Sequence, residues 1–208
     1  MLEYVVESNV DTRILKRAAE ILAQGGLVAY PTDTSWSLAC SILSREGLDK
    51  LKALKGPHSF IPSLVCSDLS QVSNFVLVDN WAFRYMKPLV PGPFVFIFEP
   101  LSHIDKKTGM KRLELGVRIP DHNVPRRIVE TLGQPLFSIT ASRQMTQEGW
   151  WDVEFAEENL FEYGYELEEI PGIGLILDTG EPLTKDLATV IDMKQEGGQV
   201  IRQGIGIC

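Results

Sequence analysis

The sequence predicts an α/β fold built on a twisted, mostly mixed open sheet with helices and a concave ligand cleft. Three observations carry that expectation. Short apolar runs such as Leu27 to Tyr30, Phe94 to Phe98 and Ile173 to Asp178 are bounded by Gly, Pro or polar residues, as buried strands are. Between such runs lie segments with apolar residues at helical spacing and recognisable ends. Two of the runs end in hydroxyl-bearing triplets, Thr32 to Thr34 and Thr140 to Ser142, and ligand sites in α/β proteins favour strand ends.

A chain of 208 residues can bury a sizeable core, and residues 1–208 read as a single domain with an acidic aromatic excursion at about 143–170. Hydrophobic content of 44% and charged content of 23% are those of a soluble globular protein. No apolar run reaches the length of a membrane span, and the first residues lack a basic region followed by an apolar one. Cys40, Cys66 and Cys208 are widely spaced, which fits a reducing, cytoplasmic setting and indicates neither a disulfide framework nor a zinc site. His58, His103 and His122 also lack ligand spacing, so they read as surface or loop residues and no metal site is expected. The net charge of -8 argues against nucleic acid, but Arg143 to Ile170 alone holds nine acids against one base. The remainder is neutral overall and leaves room for a locally positive anion site.

Leu2 to Glu7 alternates weakly and reads as an edge strand. Asp11 to Gln24 reads as a helix with Ile14, Ala18, Ile21 and Leu22 on one stripe and Gly25-Gly26 as a left-handed cap. Leu27 to Tyr30 is a buried strand ended by Pro31. A second helix spans Ser44 to Lys55, with Leu48, Leu51 and Leu54 inward, Ser44 as cap and Lys50, Lys52 and Lys55 toward the negative end of its dipole. Gly56-Pro57 breaks it, and a strand begins at Pro62. Asp79 to Lys87 is helical, Phe94 to Phe98 a strand, and Leu101 to Arg112 a basic loop. A strand over Leu115 to Pro120 precedes a helix over Val124 to Leu132, with Pro125 in its first turn. Pro135 to Thr140, Ile173 to Asp178 and Ala188 to Asp192 are the remaining core strands, and Val200 to Gly204 closes the chain. Trp150, Trp151, Phe155, Phe161, Tyr163 and Tyr165 make the acidic segment too aromatic for a disordered tail, so it reads as a folded excursion or lid.

Within this frame Thr32, Asp33 and Thr34 either cap a turn or aim at a ligand. Arg118 stands among apolar neighbours, where burial requires an anion or a carboxylate partner. Its bidentate geometry suits phosphate or a substrate carboxylate, with an internal salt bridge as the alternative. Thr140 and Ser142 place hydroxyls at another strand end, and the two ends side by side would make a polar cleft. The P-loop pattern G-x-x-x-x-G-K-[ST] does not occur.

Tyr30-Pro31-Thr32-Asp33-Thr34-x-Trp36-x-Leu38 resembles the Pro-Thr-Asp-Thr-x-Tyr-Gly-Leu signature of the YrdC-like superfamily, the threonylcarbamoyl-AMP synthases and their YciO-type relatives. Pro91-Gly92-Pro93, Gly116-Val117-Arg118-Ile119-Pro120, Thr189-Val190-x-Asp192 and Arg202-x-Gly204 resemble further elements of the family, in the same order. The resemblance implies a YrdC-like fold and a nucleotide-binding protein similar to the synthases. These join ATP, L-threonine and bicarbonate into threonylcarbamoyl-AMP and pyrophosphate, with Mg²⁺ accompanying ATP, for tRNA modification. It assigns substrate contacts to Thr32, Asp33 and Thr34, and nucleotide or phosphate contacts to Lys55, Arg118, Thr140, Ser142 and Arg202. Pro57 replaces the arginine of the family's Lys-x-Arg motif, Thr140-x-Ser142 its Ser-x-Asn, Trp36-Ser37 its Tyr-Gly, and Ala188 the serine before Thr189. These departures resemble the YciO-type branch and imply weakened or altered chemistry, or binding of double-stranded RNA or tRNA in the same cleft without it.

Overall fold

The computed structural model describes residues 1–55, 63–101, 114–146 and 157–208. The break at Gly56-Pro57, His58, Pro62, His103, nearly all of the basic loop, Trp150, Trp151 and Phe155 lie outside the described residues. Ten strands form one sheet among the described residues: β1 (Leu2–Tyr4), β2 (Leu27–Tyr30), β3 (Ser37–Ser41), β4 (Ser63–Val65), β5 (Phe94–Phe98), β6 (Leu115–Arg118), β7 (Leu136–Thr140), β8 (Ile173–Asp178), β9 (Thr189–Asp192) and β10 (Gln199–Arg202). Their order across the sheet is β1-β8-β2-β3-β7-β4-β6-β5-β9-β10. The pairs β1/β8, β2/β8, β4/β6 and β5/β9 are parallel, and the other five are antiparallel. This is the mixed sheet expected, with β1 at one edge as its weak alternation suggested.

The helices are α1 (Thr12–Ala23), α2 (Arg45–Lys55), α3 (Leu69–Val72), α4 (Asn80–Met86) and α5 (Asn123–Leu132). Asp11 caps α1 by accepting the Arg13 amide at 2.8 Å. The other end closes with Gly26 N–H on Ile21 C=O at 2.8 Å and Gly25 N–H on Leu22 C=O at 3.1 Å, the paired bonds of a Schellman cap. That cap requires a left-handed residue, and Gly25 supplies it with φ of 79°. Ser44 Oγ accepts the Gly47 amide at 2.9 Å and starts α2, whose buried stripe is Gly47, Leu48, Leu51 and Leu54. The buried stripe of α1 is Leu15, Ala18 and Leu22, with Ile14 and Ile21 half-buried beside it, so the inward face is turned slightly from the one expected. The four-residue α3 has too little length for a periodic signal and was not anticipated.

Side-chain alternation sorts the core onto the two faces of the sheet. Leu15, Ala18 and Leu22 of α1 and Val124, Ile128 and Val129 of α5 pack against Val28, Tyr30, Ala39, Val65, Leu136, Leu175 and Leu177. The opposite face carries Leu27, Ala29, Leu38, Cys40, Leu64, Phe96, Val117, Phe137 and Ile139, against α2 and α4. The α1/α5 face also presents Ser37, Ser63, Gly116, Arg118, Ser138 and Thr140, whose positions alternate with those of the opposite core. These six residues line one cavity, which holds the site.

The acidic segment is a folded excursion over its described parts. Leu160, Phe161 and Leu167 are fully buried, and Phe161, Leu167 and Ile170 join the main core. Trp36, itself fully buried, donates its indole N–H to Glu162 C=O at 3.2 Å. Arg143 pairs with Glu166, whose other carboxylate oxygen accepts the Glu162 and Tyr163 amides at 2.8 and 2.9 Å. Those bonds, with the Arg143 charge, draw the Glu166 carboxyl below its usual range against the opposing effect of burial.

Candidate anion-binding site

The turn between β2 and β3 is built around one hydroxyl. Thr32 Oγ1 donates to Ser35 C=O at 2.7 Å and accepts the Thr34 and Ser35 amides at 3.1 and 3.2 Å. Thr32 therefore caps the turn, a role the sequence reading gave to the triplet as an alternative to ligand contact. The turn directs Asp33 and Thr34 at Arg118. Arg118 Nη2 lies 2.7 Å from Asp33 Oδ1, 2.8 Å from Thr34 Oγ1 and 3.3 Å from Thr32 Oγ1. The ion pair is almost closed to water, with side-chain exposures of 7% for Arg118 and 11% for Asp33. The internal salt bridge that sequence left open is thus present, and it is incomplete: Arg118 Nε and Asp33 Oδ2 are buried without hydrogen-bond partners.

Arg118 forms part of the wall of a cavity of about 280 Å³. Thr32, Lys55, Thr140 and Arg202 line it too, so five of the eight residues singled out from sequence meet there. Asp33 and Thr34 adjoin it through Arg118. Ser142 is not part of the wall; its buried hydroxyl bonds to the Gln144 side chain and amide, both at 3.3 Å. Its strand end is next to the β2–β3 turn as expected, since Ser37 pairs with Thr140 and the Ala141 amide donates to Trp36 C=O.

Residues not singled out from sequence as site residues complete the wall. Ser37, Ser63 and Ser138 add hydroxyls, and Val95, Ile97, Val190 and Ile201 form an aliphatic side. Ser138 accepts the buried Tyr30 hydroxyl at 2.8 Å and donates to Leu38 C=O at 3.1 Å. Burial pushes the Tyr30 hydroxyl well above its usual range, so it remains a donor. Gly116 leaves the middle of the floor bare, since a Cβ there would come within 3.2 Å of both Ser63 Oγ and Val95 Cγ1. The available signal was serine in apolar strands, as in Leu136-Phe-Ser-Ile-Thr140, where a buried hydroxyl needs a purpose.

Lys55, Arg118 and Arg202 share the cavity wall with one carboxylate, that of Glu114. Burial lowers the Lys55 pKa and the Arg202 charge lowers it further; burial likewise lowers that of Arg202, with Arg118 as the next cause. Half-buried Lys55 thus feels Arg202, and Arg202, at the end of an exposed strand, feels Arg118, with Glu157 acting in the opposite sense at Arg202. Arg202 also donates to Ala188 C=O at 2.9 Å. The segment that follows its strand is held by Thr189 Oγ1, which donates to Gly206 C=O at 2.7 Å and accepts the Gly204 amide at 3.0 Å. Gly204 must be glycine, because a Cβ would lie 2.6 Å from the Ala188 carbonyl carbon. The Glu114 carboxylate is paired with Lys194. Among the described residues no group of three or more His, Cys, Asp or Glu side chains could hold a metal ion, and no helix is long and apolar enough to cross a membrane.

Comparison with known proteins places this geometry. YciO of Escherichia coli strain K12 is 31% identical over 207 residues, spanning 98% of this chain and 95% of its own. The threonylcarbamoyl-AMP synthase of Bos taurus is 28% identical over 94% of this chain and 70% of that protein. The crystal structure of E. coli YciO is similar with a TM-score of 0.83 at 28% identity, covering 100% of this chain and 97% of that one. P. abyssi Sua5 complexed with L-threonine shares the fold at a TM-score of 0.80 and 20% identity, over 98% of this chain and 57% of that chain. The family model for Sua5, YciO and YrdC proteins, described as "Telomere recombination", matches residues 20–204, and the chain belongs to that family.

Proposed function

We propose that the cavity binds the phosphates of ATP and an amino acid, and that the protein is a threonylcarbamoyl-AMP synthase-type enzyme of altered efficiency. The observation that carries this reading is the convergence of Lys55, Arg118 and Arg202 on one cavity in a chain of net charge -8. Cations held close against their mutual repulsion are stabilised by a polyanion, and fixed positive groups are what a transferring phosphoryl centre needs. Kinship with threonylcarbamoyl-AMP synthases supports the choice of reaction. In it, threonine and bicarbonate give a carbamate and water, and a carbamate oxygen attacks the α-phosphorus and expels pyrophosphate. Hydroxyls of Ser37, Ser63 and Thr140 would orient the amino acid, and the aliphatic side of Val95, Ile97 and Val190 would receive the base. Apart from Glu114, which is paired with Lys194, the polar side chains of the wall are cations and hydroxyls, which suit phosphate oxygens; Mg²⁺ would enter on the triphosphate.

Mass-spectrometric detection of threonylcarbamoyl-AMP, with pyrophosphate release, from ATP, Mg²⁺, L-threonine and bicarbonate tests the proposal, with Arg118→Ala as control. Product that vanishes in the variant is expected. Absence of product together with absence of nucleotide binding would refute it. RNA binding is distinguished by salt: contacts to many phosphates weaken steeply with ionic strength, whereas a confined nucleotide responds less.

A further inference from the structure

We propose that Asp33 is an internal anion that occupies Arg118 in the empty site and is displaced when a phosphate ligand binds. The inference rests on the reading of the cavity as an anion site, and it concerns how that site is controlled. A carboxylate beside a guanidinium commonly takes two parallel N–H···O bonds, satisfying both oxygens and two nitrogens. Here every hydrogen bond drawn above from the guanidinium leaves through Nη2, toward Asp33 Oδ1 and the hydroxyls of Thr34 and Thr32. The Nε–H of Arg118 and Oδ2 of Asp33 are buried without partners, although one pair of atoms could have satisfied the other.

A buried ion pair with an orphaned atom on each side is a weak one. It has lost the hydration of both ions and recovers only part of their hydrogen bonding. Arg202 and Lys55 line the same cavity as Arg118, so a ligand there meets three cations whereas Asp33 meets one. A phosphate carries several oxygens and at least one full negative charge. It can take the unused Nε–H while drawing on Arg202 and Lys55 as well, which Asp33 does not do.

Displacement has a built-in path. Asp33 is carried on the β2–β3 turn, whose shape depends on Thr32 Oγ1 and on no bond made by the Asp33 carboxylate. The side chain can leave Arg118 without unmaking the turn. Thr34 and Thr32 are neutral acceptors that continue to hold Nη2, so Arg118 stays aimed at the cavity while its counter-ion changes.

The test is calorimetric titration of the full chain with inorganic pyrophosphate, comparing the native protein with Asp33→Asn and Thr34→Val. Asp33→Asn removes the competing charge at nearly constant shape, and the affinity for pyrophosphate is expected to rise about tenfold, the scale of one charge-assisted contact. Thr34→Val, which removes a neutral acceptor, is expected to lower the affinity or leave it unchanged. Unchanged or weaker binding by a folded Asp33→Asn protein, with native binding intact and lost in Arg118→Ala, would overturn the displaced-anion inference alone. No pyrophosphate or nucleotide binding by any of the proteins would instead overturn the functional reading on which it rests. Circular dichroism of each variant separates these outcomes from a failure to fold.

Discussion

Replacing Thr189 by valine tests whether a single hydroxyl fastens the segment that follows β10, in addition to the ladder between β9 and β10. Valine keeps the branched shape but removes an oxygen that donates to Gly206 C=O at 2.7 Å and accepts the Gly204 amide at 3.0 Å. Thr189 is fully buried, so the Gly204 amide loses its partner beside a buried side chain, while Gly206 C=O keeps the Gln203 donor at 2.8 Å. One unsatisfied group costs about 1–3 kcal/mol, which sets the expectation near 2 kcal/mol. For a protein of this size that corresponds to a fall in Tm of about 4–8 °C. Scanning calorimetry measures the shift, and hydrogen exchange at the Gly204 amide locates it. Since Arg202 reaches the cavity from the end of β10, next to that segment, pyrophosphate affinity should fall as well. Melting within about 1 °C of native, with unchanged Gly204 exchange, would refute the idea that this hydroxyl is the fastening.

Three further perturbations have definite signs. Arg118→Ala leaves Asp33 buried without its cation and is expected to cost about 3–5 kcal/mol in urea denaturation, most of it recovered by Arg118→Met combined with Asp33→Asn. Gly164→Ala would bring a Cβ to 2.9 Å from Trp36 Cη2 and into the Asp178 carboxylate, so about 1–3 kcal/mol should be lost, read from the urea midpoint. His122 is buried and its Nδ1 accepts the Val124 amide at 3.2 Å to cap α5; burial lowers its pKa from 6.5, only partly opposed by Glu7, Asp33 and Asp121. The unfolded chain then binds more protons than the folded one just below pH 6.5, so stability is retained above that pH and falls as the solution is acidified from there toward the folded-state pKa. His122→Asn keeps a capping acceptor without a titrating ring, and Tm should then vary less between pH 6.5 and the acid side.

What the sequence disclosed followed from how local each signal is. The strands over Leu27–Tyr30, Phe94–Phe98 and Ile173–Asp178 could be delimited to the residue because glycine, proline or aspartate stands at their ends. Asp11, Ser44 and Asp79 start helices for reasons contained within three residues. Arg118 was legible as a buried charge that needs an anion, but its partner was not, since Asp33 lies 85 positions away and is delivered by a turn whose geometry depends on Thr32. The serines of the wall were passed over for a related reason. Ser63 and Ser138 face each other and Gly116 across β7, β4 and β6 only once the register is set. Ser142 lies outside the wall because a strand-end hydroxyl has a local alternative, and the backbone two residues on supplies one.

The strand order has a consequence for how the molecule comes into being on the ribosome. β2 lies between β3, its near neighbour in sequence, and β8, made nearly 150 residues later, so the first half of the sheet is left with an open edge until β8 emerges. Thr32 and Arg202 line one cavity although 170 positions separate them. At a translation rate of about 5–20 residues per second, the turn waits roughly 10–30 s for the arginine. Through that interval Arg118 can be synthesised and paired with Asp33 while the cation from β10 is still missing. The cavity is therefore complete only when the last-made strand has joined parts of the chain made early.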